Sequence, residues 1–309
     1  MDIFLQQLAN GLVIGSIYAL VALGYTMVYG ILGLINFAHG EVVMIGAMVA
    51  LTVVQLLVES GVALPGPLIA ALGLCIAMPV CMVLGYAIER VAYRPLRAAP
   101  RLAALITAIG LSILLQNAAM ILWGRQYHSF PALLPAAPHS FAGATVSELQ
   151  VFIVLLATAV MAGLAALVHR TRFGRAMRAT SQNPEIAGLM GVNINTVISL
   201  TFVIGSALAA LAGIMVAAYY GVAHYFMGFM LGLKAFTAAV LGGIGNLAGA
   251  MLGGLLLGVI ESLGAGYIGS LTGGFLGSHY QDVFAFAVLI LVLVFRPSGL
   301  LGERISERS

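Results

Sequence analysis

Charge is what this chain has least of: 7% of its 309 residues are Asp, Glu, Lys or Arg, against 62% apolar residues. A soluble domain with a solvated surface is not built at that ratio, since about a quarter of an ordinary globular sequence is charged. Lysine is reduced to one, Lys234, and no GxxxxGK[ST] loop occurs, so the phosphate cradle of a P-loop ATPase is excluded. Cysteine occurs twice, as Cys75 and Cys81, six residues apart in one apolar run. That spacing puts them on different sides of a helix, so neither a disulfide nor a metal pair is expected. The six histidines are scattered without ligand spacing, and no Ser/His/Asp or paired-carboxylate arrangement recurs. No metal, no cofactor and no catalytic residue is therefore expected.

What the chain does have is long apolar runs of roughly 20 residues, the length that crosses a bilayer. They lie near 9–29, 34–58, 63–88, 102–123, 149–168, 196–219, 226–243, 246–268 and 281–295. The runs are too long for barrel strands and lack their alternation, which leaves helices as the spanning solution. The expected fold is all-α, a polytopic membrane helix bundle with about nine transmembrane segments, eight to ten fitting the same pattern. It forms a single transmembrane domain over residues 1–309.

The thirteen basic residues are clustered rather than spread. Arg90, Arg94, Arg97 and Arg101 share one loop, Arg170, Arg172, Arg175 and Arg178 a second, and Arg296, Arg304 and Arg308 the tail. This is positive-inside bias and not a nucleic-acid surface. Loops 89–101 and 169–195 and the C-terminus are expected in the cytoplasm, and 124–148, with Pro131, Pro135 and Pro138, outside. By parity the N-terminus lies outside. The first run is expected to stay in place, because Met1 to Asn10 has no basic n-region of a cleaved signal.

Three ionisable groups interrupt the apolar segments: Glu41, Lys234 and Glu261. Intramembrane charges are costly and tend to face a pathway or a partner. Asn36, His39 and Gly40 stand just before Glu41 inside a spanning run, so that helix is expected to break there and leave Glu41 at the start of a half-helix. Asn36, His39, Glu41, Lys234 and Glu261 are the candidate pathway residues. Helix-dipole satisfaction of Glu41 and snorkelling or pairing of Lys234 are the bland readings. A short echo links Asn36-Phe37-Ala38 with Asn246-Leu247-Ala248, each followed by an apolar helix, as an internal repeat would require.

The Gly-rich run from Gly242 to Gly258 contains GxG spacing, but it lacks the strand, helix and acidic residue of a dinucleotide fold. Gly245, Gly249 and Gly253 are four apart, with Gly254 and Gly258 as a second row. Such rows let a neighbouring helix approach closely.

The most polar stretch is HRTRFGRAMRATSQNPEIAGLMGVNIN, 169–195. Asn183 is a good N-cap, Pro184 suits the first helical position, Glu185 complements the dipole, and Gly191 can end a helix of two turns. Ile186, Leu189 and Met190 fall at i, i+3 and i+4, one apolar face on a helix too short to stand alone. Something has to cover that face.

Glu185-Ile186-Ala187, three residues, then Gly191 resembles the E-x-A-x3-G core of the loop by which permeases of ATP-binding-cassette importers dock onto their ATPases, with Ile186 in place of the usual first Ala. GSIYALVALGYTMVYGILGLINFAHGE at 15–41, YRPLR at 93–97, GRAMRATSQNPEIAGLMGVN at 174–193, LKAFTAAVLGGIGNLAGAMLGG at 233–254 and RPSGLLG at 296–302 extend the likeness over nearly the whole chain. Together they resemble the LivH-type permease subunit for branched-chain amino acids. The resemblance implies a bacterial inner-membrane complex with a second, LivM-like permease, two ATPase subunits and a periplasmic binding protein that supplies leucine, isoleucine or valine. Glu185, Ile186, Ala187, Leu189, Met190 and Gly191 would form the ATPase-coupling element. Permeases for urea, amides or sugars look alike over these motifs, and an ion-coupled secondary transporter is the alternative of another class.

Overall fold

The computed structural model describes residues 2–61, 64–97, 99–133, 137–141, 143–273 and 280–302. Eleven α-helices dominate them: α1 Asp2–Leu32, α2 His39–Glu59, α3 Gly66–Ala87, α4 Arg101–Trp123, α5 Glu148–Arg170, α6 Arg172–Gln182, α7 Pro184–Leu189, α8 Ile194–Tyr220, α9 Met227–Gly242, α10 Leu247–Leu271 and α11 Gln281–Phe295. Every apolar run of the sequence holds one of these helices. Two short antiparallel pairs, His128–Ser129 with Val222–Ala223 and Pro138–Phe141 with Ala144–Ser147, sit at one end of the bundle.

The expected count of nine spans is not confirmed. Seven described helices are long and apolar enough to cross a membrane, whereas Met227–Gly242 and Ala285–Phe295 fall short. At 1.5 Å per residue, a helix of α9's length reaches about 24 Å against a hydrocarbon core of about 30 Å. Expected boundaries shift for the same reason: the run at 34–58 becomes a helix only at His39, after an irregular stretch 33–38.

Small residues set the packing. α1 and α10 lie antiparallel in close contact, because a Cβ at Gly258 would land on the backbone of Gly15, and one at Gly254 on the backbone of Ala19. On the other side of α10, Gly249 and Gly253 abut Gly242 and Ala238 of α9. The two glycine rows thus serve two different neighbours, as close helix packing requires. Gly245 is outside both, in the turn before α10 with φ +96°. Around this pair, α8 contacts α1, α2 and α3, and α2 lies against α3, α8 and α9.

The arginine-rich loops share one end of the molecule. There Arg97 meets Asn195, Tyr93 meets Asn36, and Leu300 and Leu301 donate backbone hydrogen bonds to Leu241 and Gly242. At the other end Gln6 of α1 bonds the backbone of Thr145 and Gln150 bonds Asn10, so the start of the chain is on the side of the 124–148 hairpin. Arg304 and Arg308 lie outside the described residues.

Candidate functional site

The short helix forms where its capping signals place it. Asn183 accepts from the Ile186 amide at 3.0 Å, Pro184 opens the helix, and Glu185 stands in the first turn. Met190 closes it, and Gly191 follows with φ +87°, a conformation that favours glycine. The buried side is Ala187, whose carbonyl also accepts from Val192. Opposite it, Ile186, Leu189 and Met190 are 58%, 87% and 80% exposed, and Glu185 is exposed beside them. Three large apolar groups thus stand in the open at the arginine-rich end.

α6 carries this helix. Gly174, Met177 and Thr180 face inward at three-residue spacing against α1, α5 and α8, while Arg172, Arg175 and Arg178 are exposed. Thr171 caps it by accepting from Gly174, and Arg178 donates back to the Val168 carbonyl across the α5–α6 corner. The apolar patch is therefore held on a braced platform.

The chain is irregular over 33–38 as expected near Asn36, but α2, which starts at His39, is a full 21-residue span and not the expected half-helix. His39 is its first residue and Glu41 lies in its first turn, both fully buried. The His39 ring fills the space that Gly24 leaves on α1 and sits edge-on to Tyr25 at 4.9 Å. Glu41 Oε1 accepts from Ser112 at 3.0 Å and Gln116 at 2.6 Å, two α4 residues one turn apart. Glu41 Oε2 and His39 Nε2 find no hydrogen-bond partner among the described residues. Asn36 accepts from the Tyr93 hydroxyl at 3.1 Å. Asn36 is not the α2 cap, whereas Asn246 caps α10 by accepting from Gly249, so the echo between the two segments does not extend to capping geometry.

The other two candidates meet each other. Lys234 Nζ on α9 is 2.7 Å from Glu261 Oε1 on α10 and 2.8 Å from Asp282 Oδ1 on α11, and Tyr18 donates to Glu261 Oε2 at 2.9 Å. The Lys234 and Glu261 side chains are 15% and 3% exposed. Sequence reading missed Asp282, which opens an apolar run and resembles an interfacial N-terminal carboxylate. It also missed Glu89, buried in the wide π turn Ile88–Tyr93 that continues α3. Glu89 is bound by Arg94, Arg97 and Ser199. Burial pulls the Arg97 guanidinium below its ordinary pKa, Glu89 opposes that, and Arg94 reinforces it.

A cavity of about 910 Å³ opens between α3, α5 and α8 near the hairpin end, lined by Leu74, Phe130, Phe152, Ile214 and Met215 among others. Among the described residues its lining is mostly apolar, with Ser147, Gln150, Tyr219 and Tyr220 as the polar side chains.

Comparison with known proteins places this membrane bundle in a family. Residues 7–293 match the family model described as branched-chain amino acid transport system / permease component. The chain is 50% identical over 305 residues, 97% of this chain and 96% of the relative, to the high-affinity branched-chain amino acid transport system permease protein BraD of Pseudomonas aeruginosa. It is 46% identical over 304 residues, with the same shares covered, to the permease LivH of Escherichia coli K12. A more remote likeness, 30% over 63% of this chain and 56% of the relative, connects it to the autoinducer 2 import system permease protein LsrC of Escherichia coli strain HS. No solved structure matches. The chain belongs to the permease-component family of branched-chain amino acid transport systems.

Proposed function

We propose that this chain is a membrane-spanning permease subunit of an ATP-binding-cassette importer, and that it translocates leucine, isoleucine and valine across the bacterial inner membrane. The whole-length likeness to BraD and LivH supports the substrate class, since the chain covers 96% of each relative. The observation that carries the mechanism is the uncovered face of α7: Ile186, Leu189 and Met190 in the open, opposite the packed Ala187. An apolar face on a rigidly based helix is what a groove on an ATPase can take hold of.

In this reading ATP is hydrolysed by two ATPase subunits, and a periplasmic binding protein supplies the amino acid. A second, LivM-like permease completes the pathway. Loops 89–101 and 169–195 and the C-terminus face the cytoplasm on the arginine count, with the 124–148 hairpin and the N-terminus in the periplasm. The pathway is lined from this chain near Asn36, His39 and Glu41, where the α2 backbone begins inside the bundle, and near Lys234 and Glu261. The free Glu41 oxygen supports the first of these, because an unpaired acceptor in an apolar interior is costly unless it has a task. At the second, Lys234 sets one cation between the carboxylates of Glu261 and Asp282.

The direct test is purification of the tagged chain from its own host and identification of what accompanies it. The reading predicts a second permease and ATPase subunits in the eluate, and leucine uptake by the reconstituted complex that excess isoleucine or valine, but not urea, suppresses. Leucine uptake that needs neither ATP nor a second subunit contradicts it.

A further inference from the structure

Glu89 lies at a junction that neither the family likeness nor the pathway reading explains. It is fully buried, yet it sits among arginines at the end of α3 where a surface carboxylate would be expected. Its two oxygens face two different elements. Oε1 receives Arg94 Nε at 3.4 Å and Arg97 Nη2, both from its own segment, while Oε2 accepts from the Ser199 hydroxyl of α8 at 2.6 Å. Arg97 completes the bridge by donating from Nη1 to Asn195 Oδ1 at 2.7 Å. Asn195 and Ser199 are one turn apart in the first two turns of α8.

The place of that bridge matters. α7 ends at Leu189, Gly191 takes up its positive φ, and Asn193 caps α8 by accepting from Thr196. A push on α7 therefore reaches α8 within a few residues of a glycine joint. Farther along, α8 is pressed against α3 where Ser206 fills the space beside Gly85. With the first turns held by Glu89 and the middle packed at Gly85, α8 and α3 are tied at two levels. Without the clamp, the α8 start can hinge and the displacement dissipates at the joint.

We propose that Glu89 is a positioning residue for transport: its carboxylate clamps the start of α8 to α3, so that displacement of α7 reaches the membrane helices rather than being lost at Gly191. This rests on the reading of α7 as the ATPase-docking helix. Arg97 and Ser199 are the two arms of the clamp.

The test uses the whole complex, with both permeases, ATPases and binding protein, reconstituted in vesicles. Glu89→Gln keeps the side-chain size and an oxygen for Ser199 but removes the charge that gathers the two arginines. The ATPases should remain bound, while leucine taken up per ATP hydrolysed falls by roughly 2- to 30-fold, the range in which residues along a coupling route act. Combining Glu89→Gln with Arg97→Gln should lower that ratio no further than the first change alone, because both break one clamp. Uptake per ATP at the wild-type level in Glu89→Gln overturns the clamp, as does a double variant whose losses multiply. If Glu89→Gln does not assemble, Ser199→Ala combined with Asn195→Ala removes the ties to α8 that Glu89 and Arg94 make through Ser199 and that Arg97 makes through Asn195, and an unchanged ratio there overturns the proposal equally. Failure of the docking reading looks different: Leu189→Ala with Met190→Ala would then retain the ATPases and couple normally, whatever Glu89→Gln does.

Discussion

Replacing Lys234 by methionine would leave the two carboxylates it now bridges, Glu261 at 2.7 Å and Asp282 at 2.8 Å, without their cation. Methionine nearly matches the lysine stem in volume, so packing is kept and the change is almost purely electrostatic. Breaking a buried pair from one side costs about 3–5 kcal/mol, because the surviving charge stays desolvated. Glu261 is 3% exposed and keeps only the Tyr18 hydrogen bond, so the full range applies to it, whereas Asp282, at 28% exposed, can recover part of its hydration. At about 2–4 °C per kcal/mol for a chain of this order of size, Lys234→Met should lower the thermal midpoint of the detergent-purified complex by roughly 6–20 °C. Adding Glu261→Gln removes the stranded charge while leaving an acceptor for Tyr18, and should return most of the loss. Leucine uptake by that double variant, normalised to assembled complex, then reports the pathway role alone and should stay well below wild type. A thermal midpoint unchanged in Lys234→Met would refute the pairing argument, and normal normalised uptake in the double variant would remove Lys234 and Glu261 from the pathway.

Single cysteines in a background lacking Cys75 and Cys81 test the orientation: in intact cells an impermeant maleimide should label position 140 and spare position 181. The reverse pattern would invert the molecule in the membrane. Gly258→Leu should collapse the α1–α10 contact, since even a Cβ at 258 meets the Gly15 backbone, and the yield of assembled complex should fall severely. An overpacking cost of about 1–3 kcal/mol is the least expected where backbone has to move. A wild-type yield would show that the two helices are not in backbone contact.

Legibility in the sequence followed the range of the interaction. The α7 helix was readable because Asn183, Pro184, Glu185 and Gly191 act within a turn of themselves, and the apolar triplet at 186, 189 and 190 is a local pattern. The membrane bundle was readable from hydropathy, which needs no partner. The start of α2 was readable from Asn36, His39 and Gly40 but not from hydropathy, because Ile35, Phe37 and Ala38 are as apolar as the helix that follows and a hydropathy window runs through the irregular segment before His39. The runs at 226–243 and 281–295 hold α9 and α11, helices of 16 and 15 residues. Glu89 escaped notice because Ser199 is 110 residues away and an arginine-rich loop disguises a buried carboxylate as a surface one. Pairing of Lys234 was readable as one alternative but its partners were not, since Glu261 is 27 residues away and Asp282 comes from yet another helix.

The central claim is that the exposed face of α7 is where the ATPases hold the permease. Leu189 and Met190 are 87% and 80% exposed, so truncating both to alanine should cost the chain's own fold almost nothing. Burying such side chains in a partner contributes about 1.5–3 kcal/mol each, and losing most of that from two residues weakens association by roughly 30- to 1,000-fold. The decisive measurement is binding of purified ATPase subunits to the complex carrying Leu189→Ala and Met190→Ala, followed by ATP hydrolysis and leucine uptake in vesicles with and without leucine-loaded binding protein. The account predicts an ATPase affinity lower by that factor, with stimulation and uptake lost together while the binding protein still takes leucine normally. Wild-type ATPase affinity with wild-type stimulation and uptake would contradict it.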